Sequence, residues 1–188
     1  MVRFEMIFVI LAGVFLGTLI LNENRSNMST SDTLVDSQLG INAVSIANSY
    51  IERISTPSLA FDEYLLSNAV QPSSTDSLAK LSLLTVVPGR ESGETSQSLY
   101  DDVDDFNGLD TMVTVSRVGS FHVLCRVEYY DPATGSVPGV GNNTWYKRAT
   151  VMVTDTVPGS TYHNFKFKDD QKSEIRRQLV VSYFKFLQ

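Results

Sequence analysis

Residues 4–21 (FEMIFVILAGVFLGTLIL) are apolar except for Glu5 and the small or weakly polar Gly13, Gly17 and Thr18. As a helix rising about 1.5 Å per residue, the run is roughly 27 Å long, close to the roughly 30 Å hydrocarbon core of a bilayer. It predicts one transmembrane helix. A carboxylate such as Glu5 in hydrocarbon costs at least about 2.5 kcal/mol unless it finds a partner or water. Residues 22–33 (NENRSNMSTSDT) are polar and read as a linker or as a helical continuation. From Leu34 the pattern changes again: Leu34, Ile41, Val44, Ala47, Ile51 and Ile54 recur at threes, fours and sevens, predicting an amphipathic helix. Thr33 and Asp36 form a candidate capping box at its start, and Pro57 predicts its end near Ser55.

Residues 58–69 predict a short helical segment or an irregular arm around Leu59, Leu65 and Leu66, while 78–87 are apolar without a deciding period. Residues 88–98 (PGRESGETSQS) are a polar loop by composition. Beyond Asp110 the period becomes two. Residues 112–118, 120–130 and 146–155 alternate, with Phe121, Val123, Cys125, Val127 and Tyr129 on one face and Ala149, Val151 and Val153 on another. Asp131-Pro132-Ala133-Thr134-Gly135 and Pro158-Gly159 predict turns, and 162–168 and 179–186 further strands, the latter entered from a helical turn at 172–177. The expected architecture is α+β: an N-terminal transmembrane helix, then an amphipathic helix packed on an antiparallel β-sheet. By composition the segments are an anchor at 1–21, a linker at 22–33 and an extracytoplasmic domain at 34–188.

Charge and rare residues narrow the chemistry. Over 188 residues the formal net charge is −6, and Lys166, Lys168, Lys172, Arg176 and Arg177 are interleaved with Asp169, Asp170 and Glu174, so no basic face for nucleic acid is expected. A single cysteine excludes an intrachain disulfide, and its place in the alternation makes Cys125 a buried, inert thiol. With His122 and His163 the only histidines, no zinc site is expected. There is no GxSxG, and no acid pair shows the separation across a cleft that acid–base catalysis needs, so the chain is not expected to be an enzyme or to take a small-molecule substrate. The first 21 residues lack a small-x-small cleavage site, which favours an uncleaved anchor over a signal peptide. Arg3 before the helix puts the N-terminus in the cytoplasm and the rest of the chain outside it.

The densest polar stretch is YDDVDDFNG at 100–108. Its spacing fails the EF-hand pattern, because counting from Asp102 places Phe106 fifth and Val113 twelfth. The expectation is a solvated acidic loop pinned by Tyr100, Val103 and Phe106. As a metal site it would take calcium on Asp101, Asp102, Asp104 and Asp105; no other cofactor is expected.

Glu5 beside Phe4 in an apolar helix, the amphipathic AVSIANSYIERIS at 43–55, FDE at 61–63, YDDVDDFNG and the strand YKRATVMVT at 146–154 resemble the type IV pilin and pseudopilin class. Together they are similar to minor pilins of the mannose-sensitive haemagglutinin type. The resemblance implies residence in the inner membrane with a periplasmic domain. It also implies assembly with other pilin-like subunits through the N-terminal helix, as part of a type IV pilus or a type II secretion-like system. It gives Glu5 a partner, the α-amino group of a neighbouring subunit, and would put Met1 at the mature first position. Gly13 and Gly17 stand at the small-xxx-small spacing that lets helices approach closely. The alternative is an anchored extracytoplasmic binding module, calcium-dependent, that does not polymerise.

Overall fold

The computed structural model describes residues 4–56, 59–68, 79–154 and 174–183. Its first element, helix α1 (Phe4–Ile54), runs unbroken through the polar stretch 22–33. That stretch contains neither Gly nor Pro, and its Ser, Thr and Asn residues each cost only tenths of a kcal/mol in a helix, so nothing in it stops propagation. The polar run is therefore a helical continuation, and Thr33 and Asp36 lie inside the helix instead of capping its start.

The chain divides into two units, 1–41 and 42–188. In the first, the segment Met6–Ser26 is long and apolar enough to cross a membrane and is exposed along its length. In the second, α1 buries Ala43, Ala47, Tyr50 and Ile54, while Val44 and Ile51 are half-buried and Ile41 is exposed. The buried stripe is thus rotated from the expected one. Hydrophobicity ranks isoleucine above alanine, but close approach of a helix backbone favours the small side chain.

Helix α2 (Glu63–Ser67) is a single turn capped by Asp62, whose side chain accepts from the Tyr64 backbone N–H. Residues Leu81–Leu83 and Asp104–Phe106 form 3₁₀ turns. Four strands follow, β1 (Leu109–Val115), β2 (Gly119–Tyr129), β3 (Tyr146–Thr154) and β4 (Glu174–Ser182). They form an antiparallel sheet in the order β1-β2-β3-β4. An α+β architecture with an N-terminal apolar helix is what the hydrophobic pattern predicts.

The turns follow their residues. Gly135 adopts φ +69°, and its N–H donates to the Asp131 carbonyl at 2.8 Å. Asp131 Oδ1 accepts from the Ala133 N–H at 2.9 Å, so the connection between β2 and β3 is tied at its root. The helical turn expected at 172–177 is not found in its described part: Glu174 to Arg177 are strand, paired from Thr154↔Glu174 through Val151↔Arg177. Sheet register with β3 outweighs the local helix preference of a charged run. The expected strand at 162–168 lies outside the described residues.

Residues of odd number on β2 and β3 share the inner face, through pairs such as Val123↔Val153, Cys125↔Val151 and Val127↔Ala149. These six are buried, as are Leu109 on β1 and Val181 on β4. Trp145 and Tyr183 stack at 5.1 Å between ring centroids, and Phe61 meets Tyr183 edge-on at 5.9 Å. Burial pushes the Cys125 thiol up to about 12. The folded chain should therefore react with iodoacetamide at pH 8 more than about a hundredfold more slowly than the urea-unfolded chain, as read by mass spectrometry.

Candidate functional site

The second residue of β3 is Lys147, which continues the inward-facing series of Ala149, Val151 and Val153 and is fully buried. Its Nζ lies 3.0 Å from Asp62 Oδ2 and 2.7 Å from Asp104 Oδ1, and it donates to the Phe61 carbonyl at 2.6 Å. The ammonium also sits 4.4 Å from the Phe61 ring centroid and 5.2 Å from that of Tyr129.

Backbone pairing brings these groups together. The Ala60 N–H donates to the Asp101 carbonyl at 2.8 Å and the Val103 N–H to the Ala60 carbonyl at 3.1 Å, which lays 60–62 beside 101–104. Asp62 is held in turn by the Thr85 N–H at 3.1 Å and the Tyr129 hydroxyl at 3.3 Å, while that hydroxyl donates more closely to the Thr85 carbonyl, at 2.7 Å. Burial, with the neighbouring carboxylates, raises the Tyr129 hydroxyl above its ordinary range, so it remains a donor.

The acidic stretch is not the solvated loop its composition suggests. Tyr100, Val103 and Phe106 are buried as expected, but Asp102, Asp104 and Asp105 are buried too, and of the four aspartates Asp101 alone is exposed. The aspartates turn in two directions. Asp104 meets Lys147. Asp102 and Asp105 each fix one oxygen on backbone: Asp102 Oδ1 accepts from the N–H groups of Asp104 (2.6 Å) and Asp105 (3.2 Å), and Asp105 Oδ2 from those of Asp101 (2.9 Å) and Asp102 (3.1 Å). Gly108, at φ +72°, then turns the chain into β1.

The loop of Glu91 and Glu94 packs against this stretch. Asn107 ties the two together, donating to the Pro88 carbonyl at 2.6 Å and accepting from the Val127 N–H at 2.9 Å. As a result Glu91, Asp102 and Asp105 bring one carboxylate oxygen each to within 4.8 Å of one another, and Glu94, Asp101 and Asp105 do the same. Asp104 belongs to neither group. Sequence reasoning missed Glu91 and Glu94, because nothing in PGRESGETSQS distinguishes them from solvated loop acids. It also passed over Lys147, although its inward parity was a readable signal.

Burial raises these carboxyls: Glu91 to about 7, Asp102 to about 6, and Asp104 and Asp105 each to about 8, with Lys147 opposing the rise at Asp102 and Asp104. For Glu91 and Asp105 a close carboxyl neighbour, Glu94, adds to the rise.

The remaining candidate residues lie apart. The backbone at Glu5 is helical, and Gly13 and Gly17 are exposed on α1 with open space where a Cβ would project. His122 is buried and paired with Asp110 across β1 and β2, and His163 lies outside the described residues. Compared with protein-family models, curated proteins and solved structures, the chain matches none.

Two outcomes follow. Lys147→Met leaves Asp62 and Asp104 buried without their cation and should cost about 3–5 kcal/mol in urea unfolding. In metal-free buffer the raised carboxyls make folding take up protons. Their contribution to stability is full below about pH 4 and is lost as the pH rises through about 6 to 8, so the urea midpoint should fall between pH 5 and pH 8.

Proposed function

We propose that the chain is a membrane-anchored, pilin-like assembly subunit of a type IV pilus or a type II secretion-like system. The N-terminus would be cytoplasmic and the sheet domain periplasmic. The observation that carries this reading is helix α1: one uninterrupted helix begins as an exposed apolar segment and ends as a buried stripe in the sheet domain. An anchor needs only a tether, and a flexible linker would serve. Here the chain after the apolar segment stays helical as far as Ile54, as a subunit that contributes a long helix to a filament core would. Gly13 and Gly17 support the reading, because the space beside them is open for a neighbouring helix. Glu5 then sets register by pairing with a neighbour's α-amino group.

An anchored binding module that never polymerises is the second reading, favoured by the converging carboxylates of Glu91, Asp102 and Asp105. Photocrosslinking of the full chain in membranes separates the two. Under the first, Glu5→Ala and Gly13→Leu each leave insertion intact and lower the crosslinked yield roughly fivefold, the equivalent of about 1 kcal/mol of helix association. Yields equal to the parent for both variants overturn it.

A further inference from the structure

Asp102 and Asp105 are completely buried, yet Asp102 Oδ2 and Asp105 Oδ1 have no hydrogen-bond partner, and neither does the buried Glu91 Oε2. Each aspartate thus has one oxygen held by two backbone N–H groups and the other without such a donor. Among the described residues no ion pair joins Glu91, Asp102 or Asp105 to a cation; Lys147 is engaged by Asp62 and Asp104. Ionised carboxylates buried side by side without an ion-pair partner of their own repel one another. A protein retains such an arrangement when something positive completes it.

Geometry specifies the missing group. Three oxygens mutually within 4.8 Å can all lie within about 2.8 Å of a common point, near the 2.3–2.6 Å that calcium takes to oxygen. The donors are all carboxylate oxygens, which suit a hard cation and not zinc or copper. Glu94 and Asp101, grouped with the same Asp105, offer further oxygens toward the six to eight that calcium prefers. Magnesium, which demands a near-ideal octahedron at shorter distances, fits this spread of ligands less well.

We propose that the chain carries a calcium site built from Glu91, Asp102 and Asp105, with Glu94 and Asp101 at its outer side. This set replaces Asp101, Asp102, Asp104 and Asp105, because Asp104 serves Lys147. The ion clamps the loop at 91–98 to the acidic stretch. That loop also receives the end of α1, where Arg53 donates to Gln97 Oε1 at 2.8 Å and to the Gln97 carbonyl at 3.2 Å. Calcium therefore steadies the surface where the helix enters the domain. The site stands whether or not the chain assembles.

The test uses the full chain in detergent, stripped of metal and titrated with calcium chloride at pH 7.5, with heat and thermal unfolding as readouts. One calcium should bind per chain, with a Kd on the order of 10⁻⁴ M in the manner of extracellular sites, and raise Tm by roughly 5–10 °C at a hundredfold excess. Magnesium should bind at least tenfold more weakly. Glu91→Gln and Asp102→Asn should each weaken calcium binding at least tenfold while melting no lower than the parent in chelator, since each removes a repelling charge. Glu52→Gln, on the exposed side of α1, should behave as the parent. Absence of both heat and a Tm shift in the parent overturns the site and leaves shared protons as the way the cluster is neutralised. Parent-like calcium binding in both acid variants, or equal affinity for magnesium, overturns it as well.

Discussion

Lys147 is an ammonium without access to water, and the segments that reach it are those that give the second unit its form. Removing such a charge from water costs several kcal/mol even after relaxation, so it stays buried only with close partners. Here those partners come from separate parts of the chain: Phe61 and Asp62 before α2, Asp104 in the acidic stretch, and the Tyr129 ring from β2. Asp62 then reaches Thr85, which draws in a further loop. One misplaced segment would leave a buried charge unpaired. A hydrophobic core of the same volume would tolerate small shifts, whereas this network accepts one arrangement of loops on the sheet.

The network also explains why the aspartates of YDDVDDFNG do different things although they are adjacent. The 3₁₀ turn at Asp104–Phe106 spaces them around an axis, so that Asp104 turns toward the sheet interior while Asp102 and Asp105 turn toward the loop of Glu91. On the first side a lysine from the chain supplies the positive charge. On the second, no ion pair to Glu91, Asp102 or Asp105 is found among the described residues, and burial raises the carboxyls there.

Helix α1 joins this domain to a segment of opposite character. In water-soluble units apolar side chains are buried, but Met6–Ser26 exposes its own throughout, a pattern that suits hydrocarbon or the faces of like helices. The polar stretch after it continues the same helix, as far as Ile54.

Local rules made much of this legible in the sequence. The apolar run, the strands at 112–118, 120–130 and 146–155 to within a few residues, the turn at Asp131–Gly135 and the buried Cys125 all follow from periodicity and turn chemistry, which act over a few neighbouring residues. Tertiary structure decided the rest. Which face of α1 is buried depended on how closely alanine lets it pack; whether 174–177 is helix or strand depended on register with β3; whether an aspartate is solvated or buried depended on a loop distant in sequence. The metal candidates show the limit most plainly. Adjacent aspartates mark a carboxylate-rich stretch, but a cation is held by oxygens that converge in space, and the convergence of Glu91 with Asp102 and Asp105 is set by packing between loops, which spacing along the chain does not encode.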